Sequence, residues 1–352
     1  MHKNHKNLCN LTITIKLFIL IFSILLFGCS TKIREFSETK ILMGTTVEIK
    51  VWSHNEVLAK KSIAGAFDEI TRVENIFSVY RPTSEISKLN KNGSAVVSDE
   101  IMQLIKKSNY FSEISDGAFD ITVLPIIELW KNAKKRGEIP KEKEIKNTLK
   151  IVGWRNILID EKNRKITFVK KGMKIDLGAI AKGYAVDRAV EVLKKNGIKT
   201  GMINAGGDIK CFGDKVWKIA LQNPRDKNDF ITILKIKNKA VTTSGDYERY
   251  FLIDKIKVIH IINPLTGYSV DKSISSTIIT DNATDADALA TATFVLGNPA
   301  GIELVKKYKV AECLIILPFA STPGDVASSH GQVVEINKEK RIYKTTGFAH
   351  YE

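Results

Sequence analysis

Two oxygen-bearing residues stand four positions apart in the segment TDNATDADALATATFVLG, which runs from Thr280 to Gly297. At this spacing Asp287 and Thr291 fall on one face of a helix, and a carboxylate with a hydroxyl is a donor pair suited to Mg²⁺. A simpler interpretation is that Thr284 caps the first turn, with Asp287 bonding back to the backbone and Asp285 favoured by the helix dipole. That interpretation leaves Thr291 without a role, because a β-branched residue is mildly unfavourable inside a helix. Capping and metal binding both remain open from this segment alone.

A lysine lies between two glycines in DLGAIAKGYAVDRA, from Asp176 to Ala189, where a strand ends and a helix begins. The segment is not a phosphate-binding P-loop, because Lys182 precedes the second glycine and Tyr184 stands where Ser or Thr is required. It does not match a dinucleotide-binding fingerprint either. Free amides at a helix N-terminus together with a lysine nevertheless attract phosphate. The alternative is a tight turn with an exposed lysine.

Three further segments place polar residues beside turns: INAGGDIKCFG, VTTSGDYERYF and HIINPLTGYSV. The paired glycines of the first allow a ligand to approach the backbone closely, although a hairpin corner would use them too. In the third, His260 lies at the edge of a strand that runs into the turn at Asn263 and Pro264. A lone histidine on a strand usually has a structural role. Beside a phosphate and a metal ion it would be the natural general base.

The elements that must position these residues are helices at both ends and in the middle of a strand-rich chain. A strand is predicted at Thr45–Trp52, and alternating strands dominate from Gly201 to Ile279. The predicted helices cover Asn55–Ile76, Asp99–Ser115, a charged surface segment at 131–150, a segment closed by Gly197, and one starting at Thr284. This order predicts an α+β fold with a mainly antiparallel sheet and flanking helices.

The chain begins with basic residues, including Lys3 and Lys6, followed by the apolar run LFILIFSILLF from Leu17 to Phe27. A basic start, a short apolar region and a small residue before a cleavage point are typical of a secretory signal. Because Cys29 directly follows LFG, the segment resembles a bacterial lipoprotein signal in which Cys29 becomes the lipidated first residue. A transmembrane anchor is the alternative, although the apolar run is shorter than the ~20 residues of a spanning helix.

The charge balance and the cysteines restrict the function further. The chain carries 54 Lys and Arg against 39 Asp and Glu, a formal net charge of +15. The lysines are scattered, and no nucleic-acid fold signature is recognised, so this charge favours an anionic membrane surface over nucleic acid as partner. Cys211 and Cys313 lie far apart in the sequence. They could pair in an oxidising compartment or remain as two buried thiols.

The residues and the order of the motifs, taken together, are far more specific than any single motif. Between about Ile41 and Tyr308 the chain contains LMGTTVEI, FSVYRPTSEISKLN, SDGAFDITVLP, VGW, KIDLGAIAKGYAVDRA, INAGGD, TTSGDYERYF, HIINPLTGYSV and DADALATATFVLG. In this order they resemble the ApbE family, the FAD:protein FMN transferases. The tail after Pro318 lies outside the resemblance, and its segment PFASTPGDVASSHG looks like an insertion.

The resemblance implies a two-lobed, T-fold-related catalytic unit that binds FAD and Mg²⁺. Such an enzyme moves the FMN half of FAD onto a Thr or Ser hydroxyl of a partner protein and releases AMP. The family's flavin-contacting positions fall on Met43, Tyr80, Ala118, Phe119, Asp120, Asp176 and Lys182. Its metal ligands fall on the main-chain carbonyl of Ala179 and on the side chains of Asp287 and Thr291. Its proposed base falls on His260.

Within the resemblance, one turn departs from the family pattern. Asn263 replaces the usual Asp, Leu265 the usual Arg, and Ser269 the usual Pro. These replacements concern the shape of the turn that follows His260 rather than the chemistry.

The resemblance also organises the whole chain. We expect a lipoprotein signal at 1–28, a membrane-proximal linker at 29–40, the transferase domain at 41–317, and a loop with terminal strands at 318–352. The expected acceptor is a flavoprotein with a Thr or Ser flavinylation motif, such as a redox-pump subunit. The expected location is the inner membrane, with a lipid anchor and the domain facing the periplasm or the cell exterior.

Two other functions are compatible with parts of the sequence. An FAD pyrophosphatase would use the same residues, with water in place of the partner hydroxyl. A non-catalytic FAD-binding lipoprotein would need neither a metal-binding acid nor a general base, and the presence of Asp287, Thr291 and His260 argues against it.

Overall fold

A nine-stranded antiparallel sheet forms the centre of the protein. The computed structural model describes residues 32–318, 332–335 and 340–352. The strands of the central sheet are β1 (Arg34–Leu42), β2 (Thr45–Ser53), β6 (Thr200–Ala205), β7 (Asp208–Phe212), β10 (Ala240–Gly245), β13 (Ser275–Thr280), β14 (Glu312–Pro318), β15 (Gln332–Glu335) and β16 (Lys340–Lys344). Their order across the sheet is β1-β2-β6-β7-β10-β13-β14-β16-β15. Each neighbouring pair is antiparallel.

Smaller sheets lie around the central one. They comprise β3 (Ser94–Val96) with β4 (Ile157–Asp160) and β5 (Lys165–Phe168), then β8 (Trp217–Asn223) with β9 (Asp226–Ile236), and β11 (Tyr250–Ile253) with β12 (Ile256–Ile259). Short 3₁₀ turns cover Ile121–Val123, Trp154–Asn156 and Thr346–Tyr351.

The helices start and end where side-chain caps and glycines allow. They are α1 (Glu56–Phe77), α2 (Glu85–Asn92), α3 (Asp99–Ile114), α4 (Leu124–Arg136), α5 (Glu142–Leu149), α6 (Ala181–Lys195), α7 (Ala283–Leu296) and α8 (Ala300–Tyr308). The Asn55 side chain accepts a bond from the Leu58 amide at the start of α1. Left-handed Gly137 ends α4, as glycine does at many helix C-termini.

Among the described residues, the three largest of four apolar clusters hold these elements together. In the largest, α1 packs on α6, α6 packs on α7, and all three cover one face of the sheet. The second lies on the opposite face, beneath the β8–β9 hairpin and the C-terminal 3₁₀ turn, where Phe348 is fully buried. The third joins α4 and α5 to the β11–β12 hairpin and forms a smaller lobe. The predicted two-lobed α+β fold with a mainly antiparallel sheet is confirmed.

Two expectations about segments are wrong. Part of the expected linker at 29–40 is folded, because Arg34–Leu42 form strand β1 at one edge of the sheet. The charged segment at 131–150 is not only solvated surface. Ala133 of α4 and Ile145 of α5 are buried in the third cluster, because each helix keeps one apolar face toward the β11–β12 hairpin.

Cys211 and Cys313 are buried free thiols, and burial raises the pKa of each to about 12. The expected signal at 1–28 and the lipidated Cys29 lie outside the described residues. Within the ranges that the structure covers, no helix is both long enough and apolar enough to cross a membrane.

Candidate active site

The N-termini of α6 and α7 meet at a buried cluster of charged groups. Lys182, in the first turn of α6, forms an ion pair with Asp208 and lies with its Nζ atom 3.7 Å from Oδ1 of Asp287. Both carboxylates are almost fully buried, at 1% and 3% exposure. The sequence motif that supplies Asp208 is INAGGD, and no role was predicted for this acid.

The charge states in this cluster follow from burial and proximity. Burial, together with the nearby charge of Asp208, raises the pKa of Asp287 to about 7. Burial opposes the charge of Lys182, but the two carboxylates outweigh it and raise the pKa of the lysine above its ordinary value. The cluster therefore holds a firmly protonated amine beside a carboxylate that would gain from a second cation.

Gly183 makes the close approach of the two helices possible. A Cβ atom at this position would lie 2.1 Å from the carbonyl oxygen of Ala283 and 2.9 Å from the Cβ atom of Asp287. The Gly183 amide donates to Oδ2 of Asp287 at 3.0 Å. Gly183 lies in the first turn of α6, where the backbone amides have no partner within the helix. Asp287 therefore satisfies one of the free amides at the start of α6.

The start of α7 is capped by a residue from another helix. Asp187 of α6 accepts bonds from the amides of Ala283 and Thr284 at 2.9 and 2.8 Å, and from the Thr284 hydroxyl at 2.5 Å. The local cap is Asn282, whose Oδ1 accepts from the Asp285 amide. The interpretation that Thr284 caps this helix is therefore wrong, whereas Asp285 does lie in its first turn. The actual partner is about a hundred residues away in sequence, so no local pattern indicates it.

Asp285 belongs to a different network. It forms an ion pair with Lys107 of α3 at 2.5 Å and accepts bonds from the side chains of Asn282 and Tyr308. Thr291 is half-buried and lies one turn after Asp287 on α7. Asp287 and Thr291 thus share a helix face, as predicted, while Asp285 points to α3 and α8.

His260 directly follows strand β12 and is held by one backbone carbonyl. Both its amide and its Nδ1 atom lie within hydrogen-bond distance of the Arg249 carbonyl oxygen, at 3.0 and 3.1 Å. Its neighbours Ile259 and Ile261 are buried against Ala118 and Phe294, so the imidazole is directed to the opposite side. The apolar packing of these two isoleucines therefore fixes the direction of the ring.

The surroundings of His260 keep the ring neutral. The side chain retains exposed surface, but the protein around it displaces water, and this desolvation lowers the pKa to about 4. The positive charges of Arg249 and Lys182 lower the pKa of the ring further. A carbonyl oxygen can only accept, so Nδ1 carries the proton and Nε2 presents a lone pair.

Met43 occupies the tip of the β1–β2 hairpin. Met43, with a φ of 52°, and Gly44, with a φ of 69°, form a two-residue turn in which both φ angles are positive. The Met43 amide donates to Oε2 of Glu74 at 3.0 Å. The Gly44 carbonyl accepts from the guanidinium of Arg249 at 2.7 Å, which connects the tip to the residue whose carbonyl holds His260.

The remaining predicted flavin positions cluster around α4 and the turn before it. Tyr80 is 75% exposed, and its hydroxyl accepts from Nζ of Lys131 at 3.0 Å. The positive charge of Lys131 also acts on Asp176, whose pKa is raised above its ordinary range mainly by burial. The Asp176 amide donates to the carbonyl of Ile121 at 2.8 Å. Lys131 was not among the predicted site residues. It lies on α4, one helical turn from apolar positions of that helix.

The segment of Ala118, Phe119 and Asp120 is almost completely buried. The Asp120 carboxylate accepts from the amide and hydroxyl of Thr122 and from the amide of Trp154, at 2.7–2.9 Å. Its oxygens are therefore already used to fix the loop that carries the VGW motif. A ligand at this segment would meet main-chain atoms rather than the carboxylate.

A continuous segment connects the two groups of residues. It runs from Asp176, whose Oδ1 accepts from the Gly178 amide at 2.8 Å, through Ala179 to Lys182. Two cavities, of about 400 and 260 Å³, are not lined by Lys182, Asp287 or His260. The larger is lined by Tyr184, Asp187 and Thr284 among others, and the smaller by residues of α3 and α8.

Comparisons with known proteins identify the family of this chain. The sequence model of the ApbE family matches residues 43–315. The chain belongs to the ApbE family. It is 31% identical over 288 residues to an FAD:protein FMN transferase of Klebsiella pneumoniae, covering 80% of this chain and 89% of that protein. An enzyme of the same name from Treponema pallidum is 28% identical over 314 residues, covering 83% and 87% of the two chains.

ApbE proteins of known structure share the fold. The crystal structure of an ApbE protein from Thermotoga maritima has a TM-score of 0.76 and 37% identity, covering 81% of this chain and 94% of that one. The flavin transferase ApbE from Vibrio cholerae has a TM-score of 0.75 at 24% identity, covering 91% of this chain and all of that one.

Proposed function

We propose that this ApbE-family protein is an FAD:protein FMN transferase. It cleaves the pyrophosphate of FAD, joins the FMN phosphorus to a Thr or Ser hydroxyl of a partner flavoprotein, and releases AMP. The observation that carries the proposal is the convergence of Lys182, Asp287 and a neutral His260 in a family whose curated relatives bear this name. In this proposal Lys182 is the anion-binding group, Asp287 the metal-binding acid and His260 the base of one site.

His260 acts on the acceptor hydroxyl. A threonine hydroxyl is a weak nucleophile at neutral pH, and a positioned base removes its proton as it attacks. The free lone pair on Nε2 accepts this proton, while the Arg249 carbonyl stabilises the ring through Nδ1–H. As the new bond to the FMN phosphorus forms, the bond from that phosphorus to the AMP oxygen breaks, and AMP leaves as a phosphate monoester.

Lys182 provides positive charge for the pyrophosphate. Its ammonium group is held by Asp208, so the group is positioned before substrate arrives. The lysine is at the N-terminus of α6, where free amides and the helix dipole also favour an anion.

The residues present fit a Mg²⁺ ion. Asp287, Thr291 and the Ala179 carbonyl offer hard oxygen atoms, and the raised pKa of Asp287 indicates a carboxylate that lacks sufficient positive charge. In the described part of the chain no group of three or more His, Cys, Asp or Glu side chains could hold a metal. A site with one carboxylate suits Mg²⁺, which commonly binds one or two carboxylates together with substrate phosphates. When bound, Mg²⁺ would neutralise charge that develops on the phosphates.

The placement of the protein in the cell is part of the same proposal. We infer export, lipidation at Cys29, and an inner-membrane location facing the periplasm or the exterior, on the basis of the basic start, the apolar run and LFGC. Acceptors such as redox-pump subunits would share that compartment. Nucleic acid is not among the proposed partners.

The test is to incubate the protein with FAD, Mg²⁺ and candidate flavoprotein subunits, and to measure the mass of each subunit. The expected result is the addition of one FMN, and an acceptor with Val in place of the modified Thr should gain none. Release of FMN and AMP without an altered acceptor would instead indicate an FAD pyrophosphatase. Binding of FAD without cleavage would indicate a flavin carrier.

A further inference from the structure

Arg249, just before β11, extends its side chain across the site to the β1–β2 hairpin. Its Nη2 atom donates to the Gly44 carbonyl at 2.7 Å, beside Met43 at the tip. The main-chain carbonyl of the same residue holds His260 through two hydrogen bonds. Arg249 therefore touches the hairpin with its side chain and the base with its backbone.

The guanidinium charge lies near the other cation of the site. Its charge works against the protonated forms of Lys182 and His260, although the two carboxylates keep the pKa of Lys182 above its ordinary value. Two positive groups held this close repel each other, and the repulsion is relieved by an anion placed between them.

Two other basic residues, Lys182 and Arg225, have carboxylate partners. Lys182 pairs with Asp208, and Arg225 binds Asp246 through two hydrogen bonds of 2.7 and 2.8 Å. Among the residues that the structure describes, Arg249 forms no ion pair within 4.0 Å, and its hydrogen-bond acceptor is the neutral Gly44 carbonyl. A guanidinium has five N–H donors, so most of its donors are available to a ligand.

We propose that Arg249 is a further substrate-binding residue, and that its guanidinium binds the pyrophosphate of FAD together with Lys182. The proposal rests on the proposed transferase function and extends it to a residue for which the sequence analysis predicted no role. A planar guanidinium matches the oxygen atoms of a phosphate through paired hydrogen bonds. The hydrogen bond to Gly44 orders the side chain before FAD arrives, which reduces the entropy lost on binding.

The side chain and the backbone of Arg249 can be tested separately. A substitution to Gln removes the charge but keeps the carbonyl that orients His260. We therefore expect Arg249→Gln to bind FAD and ADP about 10- to 100-fold more weakly, the usual effect of losing a charged hydrogen bond. Riboflavin has no phosphate, and its affinity should stay within about twofold. Calorimetric titration of the full chain with the three ligands measures these values.

Arg225→Gln is the matched control, because it removes a neighbouring arginine whose partner is a carboxylate of the chain. It should lower the melting temperature and leave the ratio of FAD to riboflavin affinity unchanged. Guanidinium ion added to Arg249→Ala should restore part of the FAD affinity. If Arg249→Gln folds poorly, Arg249→Lys is titrated instead, and it should show a smaller loss for the same two phosphate ligands.

Equal weakening of FAD and riboflavin, or unchanged affinity for FAD and ADP, would overturn the assignment of Arg249. The titrations do not require FMN transfer. A wild-type protein that binds FAD through Arg249 but modifies no acceptor would therefore refute the transferase proposal and leave the binding role intact.

Discussion

The two ring nitrogen atoms of His260 have different tasks. Nδ1 is hydrogen-bonded to the Arg249 carbonyl, which fixes the tautomer, and Nε2 is left to accept a proton. Desolvation, with nearby positive charge, keeps the ring neutral at physiological pH by holding its pKa at about 4. An isolated histidine titrates near 6.5. The pKa of His260 is lower mainly because the folded protein removes water from the ring, and the charges of Arg249 and Lys182 add to this effect.

Replacing His260 with Gln should cost about 10² to 10⁴ in FMN transfer, the usual contribution of a positioned base. The affinity for FAD should change little, because the base acts on the acceptor hydroxyl. Transfer assays, FAD titration and melting temperature are measured on one preparation. Near-normal transfer by a folded variant would exclude His260 from the mechanism, whereas lost folding alone would indicate a structural role.

The pH dependence follows from the same ring. Because the folded pKa is about 4 and the unfolded value is near 6.5, the unfolded chain binds more protons between these pH values. Stability due to this group is therefore fully present above about pH 6.5 and is lost as the pH falls toward 4. Denaturant unfolding of the wild type and His260→Gln from pH 7 to 4.5 should show a steeper loss for the wild type. Parallel curves would contradict the lowered pKa.

The two neighbouring acids of α7 should respond differently to substitution. Asp287→Ala should abolish Mg²⁺-dependent transfer with little change in stability, because the lost Gly183 bond is offset by relief of the repulsion from Asp208. Asp285→Ala should keep most of the activity but lose about 2–3 kcal/mol of stability, since it breaks the contacts to Lys107 and Tyr308. Turnover at saturating Mg²⁺ and urea unfolding test both. Equal activity losses would show that the two roles are wrongly assigned.

At the scale of elements, the site depends on how closely α6 and α7 approach. The Gly183 amide and the Asp187 carboxylate both connect α6 to α7. Both helices direct the positive ends of their dipoles to the same junction, which suits a phosphate and offsets the buried carboxylates. Any side chain larger than hydrogen at position 183 would separate these ends.

Gly183→Ala should therefore lower the melting temperature and the affinity for FAD together. The new methyl group would stand 2.1 Å from the Ala283 carbonyl oxygen, a distance that requires the helices to move. Gly65→Ala is the matched control in helix α1, where the methyl group would make an ordinary contact of 3.5 Å with Val192. It should be neutral or stabilising by up to ~1 kcal/mol. A Gly183→Ala protein as stable as the Gly65→Ala protein would disprove the close-packing argument.

Elements with a local signal were predicted well. The helix at Asn55–Ile76 is observed at Glu56–Phe77, and the strand at Thr45–Trp52 at Thr45–Ser53, because side-chain caps and alternating burial are visible in short windows. Strand β1 was not predicted, because its residues are mostly exposed and show no alternation of burial. Its pairing with β2 makes it a strand, and that pairing is not visible in a short window of sequence. The cap provided by Asp187 was missed for the same reason, because it depends on a contact between distant segments.

For the whole molecule, the position of β1 relates the site to the proposed anchor. The strand begins at Arg34, and the hairpin tip with Met43 lies at its other end, roughly 27 Å away for a nine-residue strand. The stretch from Cys29 to Arg34 bridges at most about 18 Å when fully extended. A lipid on Cys29 would therefore leave the site up to roughly 45 Å from the membrane. This distance suits an acceptor domain that projects from the membrane.

Cys29→Ala should release the protein from the membrane without loss of chemistry. The catalytic groups are all carried by elements that begin at β1, so transfer of FMN to a soluble acceptor should proceed at the wild-type rate. A palmitate analogue supplied to growing cells should label the wild type and leave the variant unlabelled. Fractionation distinguishes the alternative, because an uncleaved spanning anchor would keep Cys29→Ala in the membrane. Labelling of both proteins, or a mature N-terminus elsewhere, would refute lipidation at this cysteine.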